Sequence, residues 1–180
     1  ILENINLSKL DHNSEEYLKI LISAMDFAFS DRAKFLGDPK FFKVPQDLLT
    51  SKKYADEIYR QIQEKKSPSK VNVKILEGEE TTHFSIVDKW GNAVSNTYTL
   101  NTAYGSGIIP TGTGILMNNE MDDFSSKPGH PNAYGLIGSE ANKIESKKTP
   151  LSSMSPVIVF RDYKPYLITG SPGGSTIITS

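Results

Sequence analysis

At Thr81 the chain changes period, and that change limits what it can fold into. Before it, apolar residues recur at three- and four-residue spacing: Tyr17, Leu18, Leu21, Ala24, Met25 and Ala28 behind Ser14, then Tyr54, Ile58 and Ile62. After it, Thr81-Thr82-His83-Phe84-Ser85-Ile86-Val87-Asp88 and Asn96-Thr97-Tyr98-Thr99-Leu100-Asn101 read as strands around the turn signal Trp90-Gly91-Asn92. A hairpin centred on residue 90 sets Thr99 directly opposite Thr81, with Cβ atoms about 5 Å apart. Asn101, two residues on, is expected on the same face. A threonine facing a threonine and an amide at a strand start suits a positioned nucleophile. An ordinary cross-strand Thr–Thr pair gives the same pattern, since strands favour threonine anyway.

The organisation follows from that boundary. Residues 1–80 are expected to be helical, with Ser14 capping the first helix and Gly37-Asp38-Pro39 ending its region. Pro45 precedes a short turn and a second helix. Lys65-Lys66-Ser67-Pro68-Ser69-Lys70 reads as an exposed loop, and the acidic run Glu77-Gly78-Glu79-Glu80 marks the junction. Beyond the first hairpin come the glycine-rich stretch Tyr104 to Gly114 and a polar stretch from Asn118 to Tyr134. A second hairpin is expected from Val157-Ile158-Val159-Phe160 and Tyr166-Leu167-Ile168-Thr169 around Arg161-Asp162-Tyr163-Lys164. A length of 180 residues suits one domain, or one with a small appendage. Ile1 in place of methionine, and a helix only begun over Ser175 to Ser180, lead us to expect a piece of a longer protein.

Composition removes several classes of function. A formal net charge of −1 gives no electrostatic footprint for nucleic acid or an anionic membrane. No apolar run is long enough to span a bilayer, and no signal-peptide pattern opens the chain. With no cysteine, disulfides, thiolate metal sites and a cysteine nucleophile are excluded.

The remaining chemistry sits in a few short segments. Gly105-Ser106-Gly107 and Thr111-Gly112-Thr113-Gly114 lack the lysine-threonine of a P-loop and read better as turning loops. Glu120-Met121-Asp122-Asp123 fits either a hard-cation site or a pair of carboxylates for a substrate ammonium. His83 reads as a satisfied strand residue rather than a base. Gly173-Gly174, after Ser171-Pro172, puts two backbone N–H groups where an oxyanion could sit, or simply makes a turn. The Ser152 and Ser153 hydroxyls suit a substrate carboxylate or the loop's own backbone.

Taken in order, the segment from Thr81 to Asp88, Thr97-Tyr98-Thr99-Leu100-Asn101, Asn118-Asn119-Glu120-Met121-Asp122-Asp123-Phe124, Pro150-Leu151-Ser152-Ser153-Met154-Ser155-Pro156 and Gly170-Ser171-Pro172-Gly173-Gly174-Ser175 resemble the γ-glutamyltransferases, or glutathione hydrolases. Phe29-Ser30-Asp31-Arg32 and Leu36-Gly37-Asp38-Pro39 fit the same pattern. The resemblance implies an α+β fold: part of an N-terminal-nucleophile hydrolase αββα sandwich, preceded by a helical segment. Residues 1–80 would be the C-terminal part of a large subunit. Residues 81–180 would be the N-terminal part of a small one, separated by self-cleavage between Glu80 and Thr81.

The same resemblance implies the roles. Thr81 would supply the nucleophilic hydroxyl and a free α-amine as its base. Thr99 would hydrogen-bond that hydroxyl. Asn101, Glu120 and Asp123 would hold the donor's α-amino group, and Ser152 and Ser153 its α-carboxylate. Gly173 and Gly174 would form the oxyanion hole, and Tyr134 would stand beside the nucleophile. The implied partners are glutathione or another γ-glutamyl donor, water or an amino acid or peptide acceptor, and the remaining subunit segments of a heterodimer. No metal or organic cofactor is implied, and the family suggests a periplasmic or secreted location. Two departures stand out: Thr176 follows Gly-Gly-Ser where the family usually has arginine, and the family's carboxylate-gripping arginine lies upstream of Ile1. The alternatives are a glutaryl-β-lactam acylase, which Glu120 and Asp123 argue against, and a catalytically inactive fragment or binding module.

Overall fold

A computed structural model describes residues 1–68, 80–132 and 136–180. Helix α1 spans Glu15–Phe35; the Ser14 hydroxyl accepts the Tyr17 N–H, as the cap motif predicts. Glu15 and Glu16 lie at its positive end, Arg32 and Lys34 at its negative end, so both ends suit the helix dipole. A single turn, α2 (Gln46–Leu49), leads to α3 (Lys52–Gln63), capped in the same way by Ser51 on Tyr54. Ala24 and Phe27 of α1 and Ile58 of α3 are buried. The helix pair is also pinned by the Tyr54 hydroxyl, which donates to Asp31 at 2.9 Å. Burial and this shared proton push the Tyr54 phenol up to about 12.

Strands β1 (Thr82–Val87) and β2 (Ala93–Tyr98) pair antiparallel. Their register, Thr82 with Tyr98 through Val87 with Ala93, is the one expected from a hairpin centred on residue 90. Asp88 closes the turn by accepting the Trp90 and Asn92 N–H groups, each at 2.9 Å. The second hairpin, β3 (Val157–Arg161) and β4 (Lys164–Thr169), turns on Asp162 and Tyr163, both at positive φ (50° and 60°). That is the two-residue geometry whose twist matches the strands. A register shift at Val159/Phe160 accommodates Pro165. The Ser95 hydroxyl donates to the Thr169 carbonyl and joins the hairpins. Both hairpins leave apolar side chains in solvent, Ile86 at 56% and Phe160 at 61% exposure among them.

Two expectations need correction. The first strand begins at Thr82, one residue later than the sequence suggests, because Thr81 sits at φ 93°, outside the strand region. Asn101 does not reach its place by strand alternation either: β2 ends at Tyr98, and Asn101 lies at φ 76°. Tyr134, and the junction residues Glu77 to Glu79, lie outside the described residues.

Candidate active site

The ends of the two strands meet first. Thr81 Oγ1 donates to Thr99 Oγ1 at 3.0 Å, and Thr99 Oγ1 also accepts the Asn101 N–H at 2.9 Å. The left-handed turn at Asn101 bends the chain back so that its amide can reach this oxygen. The Asn101 side chain in turn donates to the Asn119 carbonyl at 2.9 Å, which ties the nucleophile's partner to the carboxylate turn that follows.

That turn is a 3-10 helix over Glu120–Asp123. Residues three apart eclipse each other in such a helix, so Glu120 and Asp123 face the same side. Burial, a hydrogen bond with Glu120 and the charges of Glu120 and Asp122 together push the Asp123 carboxyl up to about 7; Arg32 opposes them. Phe124, only 2% exposed, plugs the turn into the interior. Asn142 fixes it from behind: its side-chain N–H donates to the Asp123 carbonyl at 2.7 Å and its side-chain oxygen accepts the Leu151 N–H at 3.1 Å.

Asn142 thereby sets the distance between the carboxylates and the two serines. The serine loop is held from the helical side by Asp38, whose carboxylate accepts the Thr149 and Lys40 N–H groups at 3.0 and 2.9 Å. Those N–H groups keep the Asp38 carboxyl below its usual range. Ser152 Oγ accepts the Met154 N–H at 3.2 Å, and Ser153 Oγ accepts from Arg32 Nη2 at 2.7 Å. A hydroxyl has one proton to give and two lone pairs, so each serine still has its O–H to donate.

The fourth component is the loop after β4. Gly173, at φ 128°, adopts a conformation that side chains resist, and its N–H donates to the Glu80 carbonyl at 3.3 Å. Gly174 opens a short 3-10 helix over Gly174–Thr179. Gly170, earlier in this loop, leaves room for the His83 ring: a Cβ there would lie 2.3 Å from the imidazole. His83 bonds Thr97 and Ser85, the satisfied strand residue its position suggests.

A cavity of about 540 Å³ gathers these parts. Thr81, Thr99, Asn101, Glu120, Asp123, Ser152, Ser153 and Gly174 all line it, together with Arg32 of α1. Sequence reasoning placed Arg32 in a family motif without a role, and missed Asn142 and Asp38 as supports. A hydroxyl, a peptide carbonyl and an aligned N–H, beside a pocket with acidic and hydroxyl walls, are the components of acyl transfer through an ester.

Comparison with known proteins agrees with that class. The family described as Gamma-glutamyltranspeptidase matches residues 1–180, and the chain belongs to that family. It is 50% identical to the glutathione hydrolase proenzyme of Escherichia coli K12 over 185 residues, which cover all of this chain and 32% of that protein. The Pseudomonas aeruginosa glutathione hydrolase proenzyme is 52% identical over 169 residues, covering 93% of this chain and 30% of its own length. Among solved structures, a mutant γ-glutamyltranspeptidase of Helicobacter pylori is 63% identical. It covers 54% of this chain and 53% of its own, with a TM-score of 0.53. The Pseudomonas nitroreducens γ-glutamyltranspeptidase complexed with L-DON is 65% identical, with 54% and 51% coverage and the same TM-score. The fold is accordingly a partial N-terminal-nucleophile hydrolase sandwich of α+β class. The chain spans about a third of the length of the curated relatives it matches.

Proposed function

We propose that this chain carries the self-cleavage junction and the donor site of an enzyme that transfers or hydrolyses γ-glutamyl groups, as in glutathione and related amides. One observation carries the reading: the Thr81 hydroxyl and the Gly173 N–H belong to the same peptide unit's surroundings, one beside Thr99 and the other on the Glu80 carbonyl. Attack of Thr81 Oγ on that carbonyl breaks the C–N bond, frees the Thr81 amine and leaves Glu80 as an ester on the hydroxyl. Water then hydrolyses the ester, leaving a Glu80 carboxylate and an N-terminal Thr81. The Gly173 N–H supports the negative charge on the Glu80 oxygen meanwhile.

In turnover the freed amine takes the hydroxyl proton as Thr81 attacks the donor's γ-carbonyl. The ammonium returns a proton to the leaving amine, and water or an acceptor amine releases the γ-glutamyl group from Thr81. Residues 1–80 then belong to the large subunit and 81–180 to the small one. The exposed apolar faces of both hairpins are the surfaces that the remaining subunit segments would cover, since a two-stranded sheet alone is marginal in water. Asn101, Glu120 and Asp123 suit the donor's ammonium, Ser152 and Ser153 its carboxylate, and Gly173 and Gly174 its oxyanion. Tyr134 belongs beside the nucleophile by family likeness alone. Among the described residues no helix is long and apolar enough to cross a membrane; a periplasmic or secreted location rests on family likeness.

The test is the full-length protein and its Thr81→Ala variant, followed by intact mass and assayed on a γ-glutamyl anilide. The wild type should split between Glu80 and Thr81 and release aniline, and the variant should do neither. A variant that still splits at this bond would remove Thr81 from the mechanism. A wild type that stays whole and silent would favour the inactive binding module.

A further inference from the structure

Arg32 has no part in the reading above, yet it points into the centre of the site. It lies in the last turn of α1, and its neighbour Asp31 faces the other way, onto the Tyr54 hydroxyl of α3. That bond fixes the rotation of the helix and aims Arg32 at the cavity. There its Nη2 donates to Ser153 Oγ across 121 residues of sequence. Burial disfavours its charge and the Asp123 carboxylate favours it, so the cation and the acid stabilise each other. The charged groups facing Asp123 are Glu120 and Asp122, which raise its proton affinity, and Arg32, which lowers it.

Two consequences follow from the chemistry. A serine oxygen that accepts from a guanidinium is a stronger O–H donor, because hydrogen bonds in series polarise one another. A cation in the same cavity favours the ionised form of an acid beside two further carboxylates. One side chain therefore acts on both ends of an α-amino acid group, its carboxylate through Ser153 and its ammonium through Asp123. Arg32 precedes the Glu80–Thr81 bond in the chain, whereas Ser153 and Asp123 follow it.

We infer that Arg32 is a positioning residue of the γ-glutamyl donor site: from the large-subunit side of the junction it holds the Ser153 hydroxyl ready for the donor's α-carboxylate and sets its positive charge in the same cavity as Asp123, the acid that meets the donor's ammonium. The inference rests on the functional reading above.

The experiment uses the full-length protein with Arg32→Gln, Arg32→Lys, Ser153→Ala and the Arg32→Gln/Ser153→Ala double variant, assayed on a γ-glutamyl anilide from pH 6 to 9. Self-cleavage should proceed in all of them, since Thr81, Thr99 and Gly173 are untouched. Arg32→Gln should raise KM about tenfold or more with kcat within about threefold. The rise in KM on the acid side should begin about one pH unit higher than in the wild type, and Arg32→Lys should recover part of both effects. The double variant should lose less than the product of the two single losses. A loss confined to kcat, an unmoved pH profile or multiplicative losses would overturn the role of Arg32. If Arg32→Gln fails to cleave itself, Arg32→Lys and Ser153→Ala decide, the lysine variant alone by its pH profile. A wild type without γ-glutamyl turnover would overturn the functional reading and the inference with it, a result distinct from an active wild type and an indifferent Arg32→Gln.

Discussion

Asp123→Ala in the full-length protein separates donor recognition from support of the fold. The Asp123 carbonyl, not its side chain, is what Asn142 holds, so truncation leaves the turn's outer fastening in place. A charge-assisted hydrogen bond from the donor's ammonium is worth roughly 1.5–3 kcal/mol. Losing it should lower kcat/KM for a γ-glutamyl anilide by about 10- to 150-fold. A glutaryl anilide has the same reacting carbonyl and the same carboxylate but no ammonium, so its much slower turnover should change less than about threefold. The two ratios, measured side by side by aniline release, cancel any general damage to the site.

The acid's titration sharpens the same test. With its carboxyl pushed up to about 7, Asp123 is roughly half ionised at pH 7 and about one-tenth ionised at pH 6. Only the ionised form pairs with an ammonium. The wild-type advantage over Asp123→Ala should therefore be largest near pH 8 and shrink by roughly tenfold by pH 6. The ammonium's charge pulls the acid's proton affinity down in the complex, so the effect belongs to kcat/KM, which reports the free enzyme. Equal losses on both donors at every pH would mean that Asp123 is structural, and the acylase alternative would then return.

Three other perturbations test the supports. Gly173→Ala forces a side chain into φ 128° and moves the N–H that meets the Glu80 carbonyl; self-cleavage followed by mass should slow at least tenfold, removal of one oxyanion donor typically costing about 10²–10³. Phe124→Ala empties the plug beneath the carboxylate turn and should cost about 3–5 kcal/mol in a denaturant titration. Asp38 and Asp88 both sit below their usual range, Asp38 held by backbone N–H groups and Asp88 first by the Asn92 side-chain amide and then by backbone N–H groups. A lowered folded value means that their contribution to stability is full above the unfolded value of 3.8 and is lost as pH falls through the lower folded one. Thermal midpoints should accordingly fall as pH drops below about 4, and Asp38→Ala should flatten that acid limb.

The parts legible in the sequence are those written in neighbouring residues. The β1–β2 register follows from alternation and one turn, and the α1 start from a serine beside two acids; both are local and both appear as expected. The eclipsed carboxylates need only a tight turn of three residues. What escaped is held by contacts distant in sequence or by backbone angles. Asn142 belongs to no apolar period and carries no charge, yet it links the Asp123 carbonyl to Leu151. Arg32 reads as an ordinary basic residue in a helix's last turn until Asp31 and Tyr54 fix which way that turn faces. Thr81 and Asn101 at positive φ break the alternation that the strand pattern predicts, because local geometry there serves hydrogen bonds to a side chain rather than the ladder.

Those two angles bear on why cleavage and turnover share one site on the proposed reading. A β-branched residue at φ 93° carries a backbone strain of order 1–3 kcal/mol, and that angle is defined through the Glu80 carbonyl carbon, which cleavage detaches from the Thr81 nitrogen. The strain is therefore released when the peptide is cut, and the attack is favoured by what it removes. The Glu80 carbonyl meanwhile occupies the N–H that a donor's γ-carbonyl would need, so the uncut chain fills its own oxyanion position. The two reactions share Thr81, Thr99 and Gly173 but not the walls of the cavity. Substitutions at the shared residues should stop both, whereas those at Asp123, Ser153 or Arg32 should yield chains that cut themselves and then bind donors poorly. That separation follows from geometry: the Glu80 carbonyl is held by the Gly173 N–H, whereas a free γ-glutamyl group must extend from the hydroxyl to the acid and the serines.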